Sequence, residues 1–486
     1  MRQDEYERFD GLELATLLRR REVTSSELMA CAIELARTRG AALNAIRYPR
    51  YEESQALADA WQARGTFAGI PFLLKDSGLA SKRFPSSNGS RLFADSTSAH
   101  DATLVKRFDK LGLIPFARTT VPELCMAPTT EAPENGGATL NPWDPERSPG
   151  GSSGGAAAAV ASGIVPIAHG SDGGGSIRIP AACCGLFGLK PSRGLVPTGP
   201  VKGEGWGGLA CDGVLSRTVR DTAAAMDGIG GWELGAPYAA PPSTGSYQLA
   251  VAQRASQRKR IVVWRSAWDG IPIAPECLAA VDQAAALCRA MGHEVIDREP
   301  PALDYAAFVQ AHINVLATNI VLSSNARLKA LGRAYAEGDL EPAMHDGYLV
   351  GQRLDAGDYA RAIQQFHTVG RVMQGALSDA DIVLTPTLTQ LPAPLGWLAM
   401  NGTLQSFRER VATYATFLAV VNASGQPAAN VPIACTAQEL PVGIQLIGRF
   451  GREDQVLQLS AELEEAAPWA QRRPAAVLQH SLETVA

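Results

Sequence analysis

Apolar positions recur along this chain with two periods, and the switches between them outline its elements. The stretch up to about residue 65 reads as helical. Within it, Thr24-Ser25-Ser26-Glu27 forms a capping box that opens the apolar-periodic segment Leu28–Ala36. Gly69–Leu74 reads as a short buried strand ending at Lys75, and Leu113–Ala117 as another. A helix of small residues is predicted over Gly155–Ala161, followed by a buried strand at Ile164–Ala168. Gly228–Lys259 is loop-like. Arg260–Trp264 reads as a strand, Pro275–Ala290 as a helix, and residues 304–378 as mostly helical. Strands return at Ile382–Leu384, Asn430–Ala434 and Gly443–Ile447. A last amphipathic helix carries Val456, Leu459 and Leu463 on one face. Strands alternating with helices predict an α/β fold. The core segments run from end to end, so one domain over residues 1–486 is expected. It divides into an N-terminal helical layer (1–68), a Gly-rich core (69–227), a linker with a helical and α/β subregion (228–400), and a C-terminal sheet and helix (401–486).

Composition narrows the class. The 486 residues include 44 Lys+Arg and 49 Asp+Glu, a formal net charge of −5; 46% are hydrophobic and 19% charged. A disordered chain shows the reverse balance. A nucleic-acid binder shows a basic surplus, which is missing, so no nucleic-acid partner is expected. The first residues are charged where a secretory leader is apolar, and no apolar run reaches ~18 residues. No membrane association is therefore expected. The eight Cys lack framework spacing, which favours reduced thiols and a cytoplasmic protein. No HExxH or CxxC pattern occurs, so neither a metal nor another cofactor is expected.

Gly is the outlier, with 47 residues against a usual share of ~7%. It is densest in two knots, Gly150-Gly151-Ser152-Ser153-Gly154-Gly155 and Asp172-Gly173-Gly174-Gly175-Ser176. Flexible linkers do not run straight into a sequence such as AAAAVA. Gly150 to Gly154 also satisfies G-x-S-x-G, the nucleophile elbow of serine hydrolases, and the sequence alone leaves that open. Gly203, Gly205 and Gly208 match G-x-G-x-x-G, but no strand precedes them, which argues against a dinucleotide site. Lys75 follows the apolar run IPFLL, so its ammonium is drawn inward. Desolvation lowers a Lys pKa and makes the neutral amine available as a base.

Residues 141–194, NPWDPERSPGGSSGGAAAAVASGIVPIAHGSDGGGSIRIPAACCGLFGLKPSRG, resemble the signature of the amidase signature family of serine hydrolases. GIPFLLKD (Gly69–Asp76), ARTTVPELCMAPTTE (Ala117–Glu131), VLTPT (Val383–Thr387) and Ser424–Gly448 resemble other parts of that family. The resemblance covers nearly the whole chain. It implies a mixed, twisted central sheet covered by helices on both faces, and a Ser-cisSer-Lys triad. By motif position Lys75 is the base, Ser152 the bridging serine after a cis peptide, and Ser176 the nucleophile. The backbone N–H groups of Gly173, Gly174, Gly175 and Ser176 would form the oxyanion hole. Ser153, Asp172 and Arg178 would support the site, although Ser153 also fits a plain helix N-cap. Gly173 stands where many members carry Thr. His169, Cys183 and Cys184 read as core.

The implied activity is hydrolysis of the C–N bond of small, mostly uncharged amides through an acyl-enzyme. Residues 451–474 and Asn422–Ala428 are similar to the branch containing 6-aminohexanoate cyclic-dimer hydrolase, so cyclic amides and carbamates are alternatives. The A subunit of a glutamyl-tRNA amidotransferase is a further one, disfavoured by the continuation after the signature. The non-enzymatic alternative is a scaffold that lost its chemistry, but all three triad positions are filled. A homodimer is a family-level expectation. Substrate choice is expected in loops around Cys125, Thr129 and Trp206, and in the helical stretch Phe308–Leu331, where Asn314, Thr318 and Asn319 are polar candidates.

Overall fold

A computed structural model describes residues 1–243, 245–253 and 258–475. The strands that build the site are β1 (Ile46–Arg47), β2 (Ile70–Lys75), β3 (Leu113–Thr119), β4 (Ile167–Asp172), β5 (Phe187–Lys190), β6 (Cys211–Ser216), β7 (Arg260–Val263), β8 (Glu294–Asp297), β9 (Ile382–Pro386), β10 (Ala428–Cys435) and β11 (Pro441–Gly448). Eight form one mixed sheet in the order β8-β7-β9-β11-β10-β5-β6-β4. Its β8-β7-β9 end is parallel, and from β9 through β11 to β4 every pairing is antiparallel. A smaller sheet has the order β1-β3-β2, with β2 parallel to β3 and Lys75 opposite Thr119.

The period-2 pattern of the central strands explains why both faces are covered. Ile261, Val263, Ile382, Leu384, Ala429 and Leu446 point into one core, with α4 (Pro275–Ala290) and the C-terminal helix α10 (Glu453–Ala466). Their neighbours Val262, Val383, Ala428 and Ile447 point into a second core, with α5 (Tyr305–Leu331), α7 (Ala356–Gly375) and α9 (Thr416–Ser424). Strands buried on both faces read as continuous apolar runs, which is how these appear in the sequence.

Most predicted elements recur within a residue or two. The Thr24 capping box opens α1 (Ser25–Leu35), Pro275–Ala290 matches α4, and Val456, Leu459 and Leu463 are fully buried. The strand expected at Ile164–Ala168 lies later, at Ile167–Asp172. Pro166 and the turn after α2 (Gly154–Ala161) displace its start, and pairing with β6 carries it on through Gly170-Ser171-Asp172. The loop expected at 228–259 contains a helix, α3 (Tyr247–Ala252); its residues 244 and 254–257 lie outside those described. Among the described helices α5 alone is long and apolar enough to cross a bilayer. Here it packs against α6 (Pro342–Gly351), α7 and α8 (Leu404–Tyr414).

Candidate active site

β2 is buried along its whole length, and Lys75 at its end is fully buried. Its Nζ lies 2.7 Å from Ser152 Oγ, 2.9 Å from Ser171 Oγ and 3.2 Å from the Ser171 carbonyl oxygen. Burial drives the Lys75 pKa below its ordinary range. Burial also pushes the Cys125 thiol up, so at neutral pH it brings no charge to Lys75. A neutral Lys75 amine has two N–H bonds and one lone pair. With both hydrogens donated to Ser171 Oγ and the Ser171 carbonyl, the lone pair of that neutral amine is left for the Ser152 hydroxyl. No acidic side chain contacts Nζ among the described residues.

The backbone around Lys75 is fixed independently. Its N–H donates to His169 Nδ1 at 3.2 Å, so the His169 proton sits on Nε2 and points to Asp212 Oδ1 at 3.1 Å. Burial lowers the His169 pKa and keeps the ring neutral. His169 is thus a buried prop for the Lys75 backbone, in keeping with its expected core role. Cys183 and Cys184 are also core, both fully buried.

The Gly151–Ser152 peptide is cis. A side chain at Gly151 would collide with the Thr129 carbonyl, so the knot lies flush against the 129–130 backbone. Ser153 stands at the N-cap of α2 without capping it. Instead its Oγ accepts from Ser171 N–H at 3.4 Å and donates to Ser171 O at 3.3 Å, tying the first knot to β4.

The second knot is held from below. Asp172 Oδ1 accepts from Gly175 N–H at 2.7 Å and Asp172 Oδ2 from Ile177 N–H at 3.1 Å. Arg178 grips both carboxylate oxygens, at 3.0 and 2.9 Å, with both side chains fully buried. Burial alone would raise the Asp172 carboxyl; the Arg178 guanidinium reverses this and holds it well below the usual carboxylate range. Arg178 also donates to Gln445 Oε1 at 2.7 Å and Asn422 Oδ1 at 2.6 Å, and Asn422 Nδ2 returns to Asp172 at 2.9 Å. Gly175, at φ +125°, adopts a backbone that other residues rarely enter.

Ser176, 9% exposed, opens onto a cavity of about 600 Å³ that Ser152, Ser171, Cys125, Met126, Trp206 and Asp212 also line. Among the described contacts no hydrogen bond joins Ser152 to Ser176. The N–H groups of Gly173, Gly174 and Ser176 likewise meet no protein acceptor among the described residues. That of Gly175 is committed to Asp172, so it drops out of the expected oxyanion set. The Trp206 ring lies against Gly173, where any side chain would strike it. This accounts for Gly at that position.

Of the substrate-loop candidates, Cys125 and Trp206 face the cavity and Thr129 does not. Thr129 is buried, with its hydroxyl bonded to Glu131 at 2.6 Å and Ser148 at 2.8 Å. On α5, Asn319 lines the cavity, whereas Asn314 and Thr318 do not. Sequence reasoning missed Ser171, Asn422 and Gln445. The last two carried a signal, each a polar residue inside an apolar run (LAVVNAS and PVGIQLIG).

The chain as a whole is similar to proteins of known activity. The amidase family model matches residues 27–457. The 6-aminohexanoate-cyclic-dimer hydrolase of Paenarthrobacter ureafaciens is 32% identical over 476 residues, covering 96% of each chain. A solved 6-aminohexanoate cyclic dimer hydrolase with bound substrate superposes with a TM-score of 0.91 at 32% identity, over 96% of this chain and 99% of that one. A bacterial aryl acylamidase of the amidase signature family gives 0.86 at 28% identity, over 95% and 97%. The chain belongs to the amidase family and is an amide-hydrolysing enzyme.

Proposed function

We propose that Ser176 is the nucleophile, Ser152 the proton bridge and Lys75 the base, acting on small, mostly uncharged amides. The observation that carries this is the buried Lys75 Nζ, 2.7 Å from Ser152 Oγ and within hydrogen-bond reach of both Ser171 oxygens. Lys75 takes the Ser152 proton and Ser152 takes that of Ser176. The Ser176 oxygen adds to the amide carbonyl. The free N–H groups of Gly173, Gly174 and Ser176 stabilise the oxyanion; one such donor is typically worth ~3 kcal/mol. The tetrahedral centre collapses, and the relay returns a proton to the leaving amine. Water then cleaves the Ser176 ester by the same route.

A cyclic amide is the favoured substrate class, because the cyclic-dimer hydrolase matches over almost the full length and the cavity has room for a compact ring. Anilides form the second reading, supported by the aryl acylamidase likeness and by Met126 and Trp206 in the cavity wall. The same reading treats residues 1–486 as one catalytic unit and a homodimer. It also places the enzyme in the cytoplasm, in keeping with eight free thiols, seven of them buried.

A hydrolysis panel of cyclic amides, anilides, linear aliphatic amides and carbamates tests the substrate class. An organofluorophosphonate label mapped to its peptide tests the nucleophile. Label on Ser152 rather than Ser176 would refute the assignment, and sedimentation velocity checks the dimer.

A further inference from the structure

The catalytic cavity holds a carboxylate to which the proton relay gives no task. Asp212, on β6, pairs in register with Ser171 on β4. Directly opposed residues of an antiparallel pair project from the same face of the sheet. Asp212 therefore stands beside the Ser171 side chain that receives Lys75 Nζ. His169, two residues before Ser171, shares that face, and its Nε2–H donates to Asp212 Oδ1 at 3.1 Å.

This hydrogen bond fixes the carboxylate without neutralising it. His169 Nδ1 is occupied by the Lys75 N–H, and burial disfavours a second proton on the ring. No Lys or Arg ion-pairs with Asp212 among the described residues. His100, Lys202 and Glu204 line the same cavity, and the Glu204 carboxylate is engaged by the Tyr238 hydroxyl. Asp212 Oδ2 has no protein partner among the described residues, and the side chain, 18% exposed, lines the cavity. A carboxylate only accepts hydrogen bonds, so Oδ2 is matched by a donor, best of all a cationic one.

The position says which half of the substrate supplies that donor. Ser176 and the N–H groups of Gly173 and Gly174 take the carbonyl. Lys75 and Ser152 return the proton to nitrogen, so the amine departs on the relay's side, where Ser171 and Asp212 lie. Breaking the C–N bond leaves its electron pair on nitrogen, which takes the proton given up by Ser176. The products of that step are the Ser176 ester and a neutral amine. An alkylamine ionises near ~10.4, as a Lys side chain does, so at pH 7 it takes a second proton from water.

We propose that Asp212 is the amine-side specificity residue, binding the departing alkylamine as its ammonium and selecting amides of aliphatic amines over anilides. An aniline stays uncharged at pH 7 and gains only a neutral hydrogen bond. In a cyclic amide the amine remains tethered to the acyl group. Holding it as an ammonium removes the lone pair that would close the ring again. The inference rests on the Lys75–Ser152 relay proposed above.

The test titrates butylammonium and 1-butanol at pH 7 by ligand-observed NMR; the two match in length and differ in charge. Wild type is expected to bind butylammonium about tenfold more tightly. Asp212→Asn keeps the oxygen that accepts from His169 and removes the charge, so the preference should vanish. A crystal soaked in butylammonium should place its nitrogen on Asp212 Oδ2. In turnover, Asp212→Asn should lower kcat/KM about tenfold more for an N-butyl amide than for the anilide of the same acid. A merely structural role would lower both alike. Equal affinity for the two probes in wild type, a preference that survives in Asp212→Asn, a nitrogen bound away from Asp212, or equal kcat/KM losses would each overturn the proposal. If Asp212→Asn does not fold, the wild-type comparison and the soaked crystal decide. Failure of the relay shows separately, as fluorophosphonate label on Ser152.

Discussion

The two Gly/Ser knots have nearly the same composition and opposite construction. In the first, Gly151 is needed because Thr129 leaves no space, and the knot is held by close backbone contact and by Ser153 bonding to β4. In the second, a buried ionic cluster of Asp172, Arg178, Asn422 and Gln445 holds the chain from beneath and leaves three N–H groups unspent above. Packing fixes Ser152, and electrostatics fixes the loop that carries Ser176. Glycine richness alone therefore says little about what a loop does; what stands behind it decides.

The largest effects should come from the reacting groups that the knots present. Ser176→Ala is expected to lower kcat by on the order of 10⁴–10⁶ with Tm unchanged, by analogy with other serine nucleophiles. Lys75→Ala should cost about 10²–10⁴ as a lost general base. A rate within tenfold of wild type in either would break the comparison at its root. Next comes the ionic support. Arg178→Met leaves Asp172 buried without its counter-charge and should destabilise by about 3–5 kcal/mol in chemical denaturation. Its effect on the second knot should exceed that of any change to Ser153. The packing side is tested by a pair of glycines. Gly151→Ala forces a Cβ into the Thr129 carbonyl and should cost about 1–3 kcal/mol. Gly174→Ala meets only ordinary contacts, the nearest at 3.4 Å, and should leave Tm nearly unchanged. Equal losses at both positions would erase the distinction.

The smallest effect concerns pH. In the proposed relay Lys75 works without its proton, and burial lowers its pKa from the ordinary 10.5. The rate should therefore rise with pH along a limb set below the normal lysine range. Ser171→Ala removes an acceptor that favours the ammonium form, so that limb should move to lower pH. A shift to higher pH would contradict the role given to Ser171.

Much of the site was legible because its residues lie in short, dense motifs: Lys75 at the end of a buried run, Ser152 and Ser176 inside the knots. The helices were legible where capping and periodicity agreed, as at Thr24 and over Pro275–Ala290. The bounds of β4 were not: Pro166 and the turn after α2 displace its start, and Gly170, Ser171 and Asp172 at its end have low strand propensity and are extended through pairing with β6. Ser171, Asn422 and Gln445 act through partners tens to hundreds of positions away; the apolar runs around Asn422 and Gln445 mark them as buried polar residues, but no local pattern names their partners. The fate of the Gly175 N–H and the inward turn of Thr129 were hidden for the same reason.

The Trp206 ring resting on Gly173 also makes the enzyme its own optical reporter. In the proposed mechanism, acylation of Ser176 changes the polarity and contacts on the cavity side of that indole, so a stopped-flow emission trace should resolve acyl-enzyme formation and decay without a chromogenic substrate. Subtracting the trace of Trp206→Phe isolates this signal from the other seven tryptophans.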